Sequence, residues 1–310
     1  MSGRRLPTAL KPGDRVAVVS PASACARDEL DAGVAELRRL GFDPVYDESV
    51  FAHEAGYLAG TPELRAGAFL RFWQDPDVRA LIAARGGYGS VQLLPLLDRQ
   101  AILASPKLFI AYSDNTSLLS WLTCQCGMTA LHGPMLERRL SRGSDGYDES
   151  SFMALVQGGS GLALSPDGLL VLHDGEAAGP LYGGTLTQLT ASLGTPYAFD
   201  PPAGSILFIE DVNERPYKID RMLTQLYLSG VLSRASALVF GEMRSCDEPD
   251  GRVTARGVIQ RFVNGFRGPV VFGFPSGHTA GPCWTVPLGV NVRLVTRPHP
   301  SLVIEEAPVE

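Results

Sequence analysis

Three side chains stand where chemistry is plausible: a serine, a carboxylate and a histidine, each at the end of an apolar run. Ser113 lies in Lys107-Leu-Phe-Ile-Ala-Tyr-Ser-Asp-Asn-Thr-Ser-Leu-Leu-Ser-Trp121. There the strand-like run Leu108–Ala111 gives way to the helical spacing of Leu118, Leu119, Trp121 and Leu122. A sharp strand-to-helix turn at Ser113 lifts its hydroxyl out of the fold, and the N-terminus of the following helix favours negative charge beside it. That setting suits a nucleophile, provided a base and an orienting carboxylate come from elsewhere. The hydrolase elbow asks for glycine two residues to either side, and these positions hold Ala111 and Asn115. Alanine is small, and asparagine tolerates left-handed backbone. The alternative is that Ser113-Asp114-Asn115-Thr116 only caps a helix, which all four residue types do well.

The orienting carboxylate has a candidate in Glu210, where the apolar run Ile206–Ile209 ends abruptly in Glu210-Asp-Val-Asn-Glu214. A carboxylate at the end of a buried strand is held rigidly and partly desolvated, as the partner of a histidine should be. Capping of the helix from Tyr217 is the other use for these acids, and it fits Glu214 better than Glu210. The base has a candidate in His278, within the glycine-rich Phe272-Gly-Phe-Pro-Ser-Gly-His-Thr-Ala-Gly-Pro282. His53, His173 and His299 sit in polar, turn-like surroundings. His132, in Leu131-His-Gly-Pro-Met135, reads as a satisfied buried imidazole, with a supporting role beside the site as the alternative. Gly86-Gly87 can offer backbone N–H groups to an oxyanion without a Cβ in the way, or form a plain tight turn.

The elements needed to hold these residues are legible as alternating strands and helices. Arg15–Val19, Asp43–Tyr46, Val78–Ala84 and Leu108–Ala111 read as strands, with helices over Asp28–Leu40, Pro62–Trp73 and Ser90–Leu97 between them. This order implies a parallel sheet covered on both faces, with ligands beyond the strand C-termini, where Gly86-Gly-Tyr-Gly89 and Ser113 both fall. Residues 141–178 are rich in turn residues and read as a linker around a short helical patch at Phe152–Val156. A second mixed unit follows over 179–310. Its helices are expected near Thr185–Leu193, Tyr217–Leu228 and Val258–Phe262, and its strands at Ile206–Ile209, Ala237–Phe240 and Pro269–Phe272. Thr285–Ile304 reads as β-rich.

Bulk properties exclude several classes. At 310 residues the chain exceeds what one core usually holds, so two domains are expected, 1–140 and 179–310. A content of 45% hydrophobic and 19% charged residues is too apolar for disorder. A net charge of −6 without a basic stripe argues against a nucleic-acid partner. No apolar run has the length of a membrane span, and no apolar stretch follows Arg4-Arg5 as a secretory signal would require. Five scattered cysteines do not form a disulfide framework, which points to a reducing cytoplasm. Cys124-Gln-Cys126 with His132 lacks a fourth ligand and the right facing for a metal site, so no metal or other cofactor is expected.

In combination these segments resemble the LD-carboxypeptidase family of serine peptidases, which includes the microcin C self-immunity peptidases. The resemblance runs along nearly the whole chain. It is carried by Gly13-Asp-Arg-Val-Ala-Val-Val-Ser-Pro-Ala22, Arg85-Gly-Gly-Tyr-Gly89, Tyr112-Ser-Asp-Asn-Thr116 and Leu131-His-Gly-Pro-Met135. Gly179-Pro-Leu-Tyr-Gly-Gly184, Leu207-Phe-Ile-Glu-Asp-Val212, Tyr217-Lys-Ile-Asp-Arg-Met-Leu223 and Gly273-Phe-Pro-Ser-Gly-His278 complete it. It implies an N-terminal flavodoxin-like parallel-sheet domain carrying the nucleophile and a smaller, β-rich, swivelling C-terminal α/β domain. It also implies Ser113 as nucleophile, Glu210 as orienting carboxylate, His278 as base, and the Gly87 and Asp114 amides as oxyanion donors. The implied reaction removes the terminal D-alanine from muropeptide tetrapeptides at an L,D amide bond during peptidoglycan recycling. The implied enzyme is a cytoplasmic, metal-independent homodimer. Two positions depart from the family pattern: Ala111 replaces the glycine before Tyr-Ser, and Thr185 replaces the asparagine after Gly-Gly. An exopeptidase must also bind a terminal carboxylate, for which Arg85 is a candidate, with a structural ion pair as its alternative role. Rival functions are hydrolysis of another peptidyl amide, such as a microcin C-type peptidyl-nucleotide, or ligand binding without catalysis.

Overall fold

The computed structural model describes residues 4–310; residues 1–3, the start of the N-terminal segment read above, lie outside the described residues. In the first half, strands β1 (Arg15–Val19), β2 (Asp43–Val45), β3 (Val78–Ala83), β4 (Leu108–Ala111) and β5 (Ala130–His132) pair in parallel. Their spatial order, β5-β4-β3-β1-β2, is that of a flavodoxin-like sheet. β4 is apolar and buried at every position, as a strand covered on both faces must be. One covering helix, Pro62–Gln74, starts with Thr61 accepting from the Leu64 N–H at 3.2 Å and has proline in its first turn. It buries Phe69 and Trp73, whose rings stack with centroids 5.3 Å apart. The helix expected at Ser90–Leu97 forms as a 3₁₀ segment, Ser90–Leu96, because Pro95 lacks the N–H that an α-helix would use.

The second half builds a second sheet from β6 (Leu162–Leu164), β7 (Leu170–His173), β8 (Glu176–Thr185), β9 (Ile206–Glu210), β10 (Ala237–Gly241) and β11 (Val270–Phe274). β13 (Asn291–Val295) and β14 (Ser301–Ile304) complete it, in the order β6-β14-β13-β8-β9-β10-β11-β7. Its centre, β8 to β11, is parallel, and its margins are antiparallel. Side chains divide by the two-residue period of a strand. Ile206, Phe208, Ala237 and Val239 face the core shared with the first sheet, whereas Leu207, Ile209, Leu238 and Phe240 pack under helices Pro216–Leu228 and Ala255–Phe262.

Two segments tie the halves together. Residues 141–178, read from sequence as a linker, contain a helix (Glu149–Val156) that buries Phe152, Leu155 and Val156 in the shared core, and then β6 and β7 of the second sheet. The β-rich C-terminal stretch also divides. Its first strand, β12 (Val286–Leu288), leaves the second sheet and pairs antiparallel with β5 at the edge of the first, placing Val286 opposite His132. Among the described residues no helix is long and apolar enough to cross a membrane.

Candidate active site

β4 is fully buried, and the chain leaves it through an extended Tyr112 into Ser113, whose φ of 64° lies in the left-handed region. A non-glycine residue pays strain there, and such positions persist where the surroundings enforce them. A 3₁₀ turn (Ser113–Asn115), a short α-helix (Thr116–Ser120) and a π-turn (Trp121–Gln125) follow. Asp114 is buried, and its carboxylate does not face solvent. Oδ2 accepts from the Ser90 N–H at 2.8 Å and Oδ1 from Gln188 at 3.1 Å, while its carbonyl accepts from the Ser90 hydroxyl at 2.6 Å. Neither the 3₁₀ turn nor the helix that follows carries a side-chain cap hydrogen bond, so the helix-capping reading does not describe this segment, and the Ser113 side chain is turned elsewhere.

It is turned toward His278. The Ser113 Oγ lies 3.0 Å from His278 Nε2, and His278 Nδ1 lies 2.8 Å from Glu210 Oε2. The carboxylate fixes the tautomer: Nδ1 carries the proton and donates, which leaves Nε2 to accept from the serine hydroxyl. Glu210 is the last residue of β9 and is 1% exposed. Its Oε2 also accepts from the His278 N–H at 3.0 Å, and its Oε1 accepts from the Thr185 hydroxyl at 2.5 Å. The position that departs from the family pattern thus makes a polar contact with the carboxylate.

Glycines allow this closeness. A Cβ on Gly241 would sit 2.6 Å from that of Glu210, and one on Gly277 would sit 2.8 Å from both the Glu210 carboxyl carbon and His132. A Cβ on Gly86 would lie 2.7 Å from Ser113 Oγ, so the Gly86-Gly87 turn does abut the serine. Gly87 has a φ of 104° and its Cα faces Ser23, with no room for a side chain.

Charge follows from burial and pairing. Burial alone would raise the Glu210 carboxyl, but the His278 charge and hydrogen bond, with smaller contributions from His132 and Thr185, outweigh it and hold the group at about 2. Burial would lower His278, and Glu210 overrides it, so the imidazole lies above its ordinary value. The second histidine behind Glu210 behaves oppositely. His132 is fully buried, its Nδ1 is 2.9 Å from the Ser276 hydroxyl, and its Nε2 is 3.9 Å from Glu210 Oε1 without a hydrogen-bond partner. Desolvation pushes it down to about 4, so it is neutral at physiological pH.

Two residues that sequence reasoning did not single out hold the His278 loop. Arg139, 6% exposed, donates to the carbonyls of Gly277 (2.8 Å), Gly281 (3.0 Å), Thr279 (3.1 Å) and Gly146 (3.3 Å). Tyr112 packs edge-on against His278 with ring centroids 5.1 Å apart. Nothing in the local sequence distinguishes Arg139 from its surface neighbours Arg138 and Arg142. The binding candidate Arg85 is engaged structurally, 3.4 Å from Glu137 and 3.2 Å from the Ala24 carbonyl, and borders a small cavity with Ser23 and Tyr57. A cavity of about 420 Å³ opens instead beside Tyr112 and His278. A slightly larger one, about 490 Å³, lies among Tyr227, Leu232, Phe262 and Phe266, on the helical layer and not at these residues. Among the described residues no three histidine, cysteine or acidic side chains are grouped as metal donors.

Comparison with known proteins agrees over most of the length. Residues 16–133 match the model of the LD-carboxypeptidase N-terminal domain, and residues 178–294 that of the LD-carboxypeptidase C-terminal domain. A Streptomyces coelicolor protein named as a carboxypeptidase is 38% identical over 93% of this chain and 92% of its own. The murein tetrapeptide carboxypeptidase of Pseudomonas aeruginosa is 34% identical over 86% and 88%, respectively. A solved structure of MccF in complex with glutamyl sulfamoyl guanosine superposes with a TM-score of 0.89 at 25% identity, covering 98% of this chain and 99% of that one.

Proposed function

The chain belongs to the LD-carboxypeptidase family, and from that premise we propose that it is a serine carboxypeptidase releasing the terminal D-alanine of muropeptide tetrapeptides in peptidoglycan recycling. The observation that carries this reading is the unbroken relay from Ser113 through His278 to Glu210, at 3.0 and 2.8 Å, with the serine on left-handed backbone. His278 takes the Ser113 proton as the oxygen attacks the carbonyl preceding D-alanine, and the N–H groups of Gly87 and Asp114 receive the oxyanion. His278 then returns the proton to the leaving amine, and water repeats the cycle on the acyl-enzyme. Glu210 holds the tautomer and offsets the imidazolium charge. No step calls on a metal or another cofactor.

On this reading the protein is a cytoplasmic homodimer, with the two sheets supplying the two halves of the relay and a domain division near residues 141–178. Its partner is the muropeptide, not a nucleic acid or a membrane.

The test is D-alanine release from purified murein tetrapeptide by the parent and by Ser113→Ala, each with and without chelator. Chelator-insensitive release by the parent is expected, with a loss of about 10⁴- to 10⁶-fold in the variant. A folded Ser113→Ala protein with near-parental turnover would remove Ser113 from its role. A parent that releases no D-alanine would end the cell-wall assignment.

A further inference from the structure

Glu210 has two carboxylate oxygens, and the relay uses one. Oε2 serves the His278 ring and its backbone N–H, whereas Oε1 lies between Thr185 and His132. All three side chains are buried there, and a buried carboxylate oxygen without donors is costly. The Thr185 hydroxyl supplies one donor. On the other side stands His132 Nε2, 3.9 Å from Oε1, fully buried and without a hydrogen-bond partner among the described residues. That distance is too long for a hydrogen bond and short enough for the ring's polarity to act on the carboxylate.

The tautomer of His132 decides whether it attracts or repels. Its Nδ1 is 2.9 Å from the Ser276 hydroxyl, which has no other hydrogen-bond partner among the described residues. A hydroxyl that donates to Nδ1 satisfies both groups and leaves the ring proton on Nε2, facing the carboxylate. The reverse arrangement leaves the Ser276 hydrogen without an acceptor and points a nitrogen lone pair at a negative charge. Both costs select the Nε2–H form, opposite to that of His278. The ring has no room to turn away. Phe208 and Tyr112 pack on it with centroids 4.9 and 5.9 Å distant, and the Gly277 Cα closes a third side. His132 ends β5 of the first sheet and Thr185 ends β8 of the second, so Oε1 is approached from both halves. The Thr185 N–H also donates to the Thr116 hydroxyl at 3.1 Å, which ties this contact to the segment carrying Ser113.

We propose that Thr185 and His132 are a pair of positioning residues that share the second oxygen of Glu210, the threonine as its hydrogen-bond donor and the histidine as a neutral ring presenting Nε2–H behind it. This deepens the relay reading above and rests on it. Neither residue touches the reacting atoms. Together they keep the carboxylate from rotating away from His278, and either one limits the damage when the other is lost.

The experiment joins histidine NMR to covalent labelling, both on the full-length protein. Long-range proton–nitrogen correlation at neutral pH should show His132 protonated at Nε2 and His278 at Nδ1. Thr185→Val removes the hydroxyl and leaves His132 as the remaining donor for Oε1. Its titration midpoint should then rise from about 4 by about one pH unit, because the ring can close the gap and bind Glu210 as an imidazolium. The charged groups acting on His132 are Glu210 and His278, and those acting on His278 are Glu210, Asp211 and Arg139; the substitution alters none of them. Labelling of Ser113 by a fluorophosphonate should slow about 10-fold in Thr185→Val and recover in Thr185→Ser, which restores the donor. Adding His132→Phe to Thr185→Val should slow it by more than the product of the two single effects. A His132 proton on Nδ1 overturns the proposal and leaves the relay standing. So does a His132 titration unmoved by Thr185→Val, or a double variant that shows the plain product. A folded parent that is not labelled at Ser113 overturns the relay and the proposal with it. A parent that is labelled but releases no D-alanine ends only the cell-wall assignment.

Discussion

The two halves of the molecule deliver their share of the site by opposite means. The first sheet presents Ser113 through its own backbone: a fully buried strand ends, one residue takes a φ of 64°, and the hydroxyl is fixed within two residues of the core. The second sheet fixes Glu210 in the same way, at the end of β9. His278 has no such support, because it sits in a loop four residues beyond the end of β11. What immobilises it comes from outside: Glu210 on one ring nitrogen, the Tyr112 ring at its edge, and Arg139 on three carbonyls of its own loop. Ser113 is held by local geometry and His278 by tertiary contacts, so lesions in the two should have different signatures.

The largest effect, after loss of the serine itself, should come from cutting the base's main support. Glu210→Gln keeps the shape but removes the charge that raises His278, and a drop of about 10⁴-fold in kcat is expected, as for other relays deprived of the acid. The pH profile carries the sign. In the parent His278 must be neutral to accept the serine proton, and it lies above its ordinary 6.5, so the acid limb of kcat/KM should fall above pH 6.5. Without the Glu210 charge, burial and the Arg139 cation push the imidazole down against the smaller upward pull of Asp211, and the limb should move to lower pH. A limb that stays in place would mean that the titrating group is not His278. Stability follows from the same pair. Glu210, lowered to about 2, contributes stability that is complete above the unfolded carboxyl value of 4.5 and is lost as pH falls toward 2.

This asymmetry also decided what could be read from the sequence. Ser113 and Glu210 were legible because each closes an apolar strand, and a strand followed by a chemically competent residue is a local pattern. The parallel sheet follows from the alternation of strands and helices, whereas its flavodoxin-like order is implied only by the family resemblance. His278 was found as a histidine in a glycine-rich loop, but the role of Gly277 depends on Glu210 and His132, which only the fold brings near. Arg139 was invisible, since a buried arginine serving carbonyls looks in sequence like any surface arginine. The return of β12 to the first sheet was equally hidden, because a three-residue antiparallel strand carries no address for its partner. Arg85 stands beside Gly86 in sequence, and its guanidinium makes the structural ion pair with Glu137 and a bond to the Ala24 carbonyl while bordering a small cavity.

A lesion confined to the first region sharpens the contrast. Gly86→Ala places a methyl 2.7 Å from both Ser113 Cβ and Oγ, so the serine must shift or the turn must open. A displacement near 1 Å is enough to cost about 10²-fold in rate. Because Gly86 does not have a left-handed φ, alanine adds no backbone strain of its own, and thermal stability should change by no more than about 1 kcal/mol. Circular dichroism melts beside kcat would check this; a large loss of Tm with intact turnover would contradict the idea that local geometry alone aims the nucleophile.

Arg139→Ala should show the reverse proportion. Four buried or half-buried carbonyls lose a charged donor, though each keeps a second one, from the Thr279 N–H, the Cys283 N–H, the Thr279 hydroxyl or Arg244. A hydrogen bond to a charged group contributes about 1.5–3 kcal/mol, so a destabilisation of about 3 kcal/mol or more is expected. Its effect on the folded enzyme should be the smaller one, about 10-fold in kcat at low temperature, because Glu210 still binds both the ring and the backbone N–H of His278. Arg139→Lys restores the charge but supplies one point donor in place of a planar fork, and it should recover little of the lost Tm. If lysine restored both Tm and kcat, the cation would matter more than the fork. The cause would then be the field of Arg139 on the site, and the base would be held by its own loop after all.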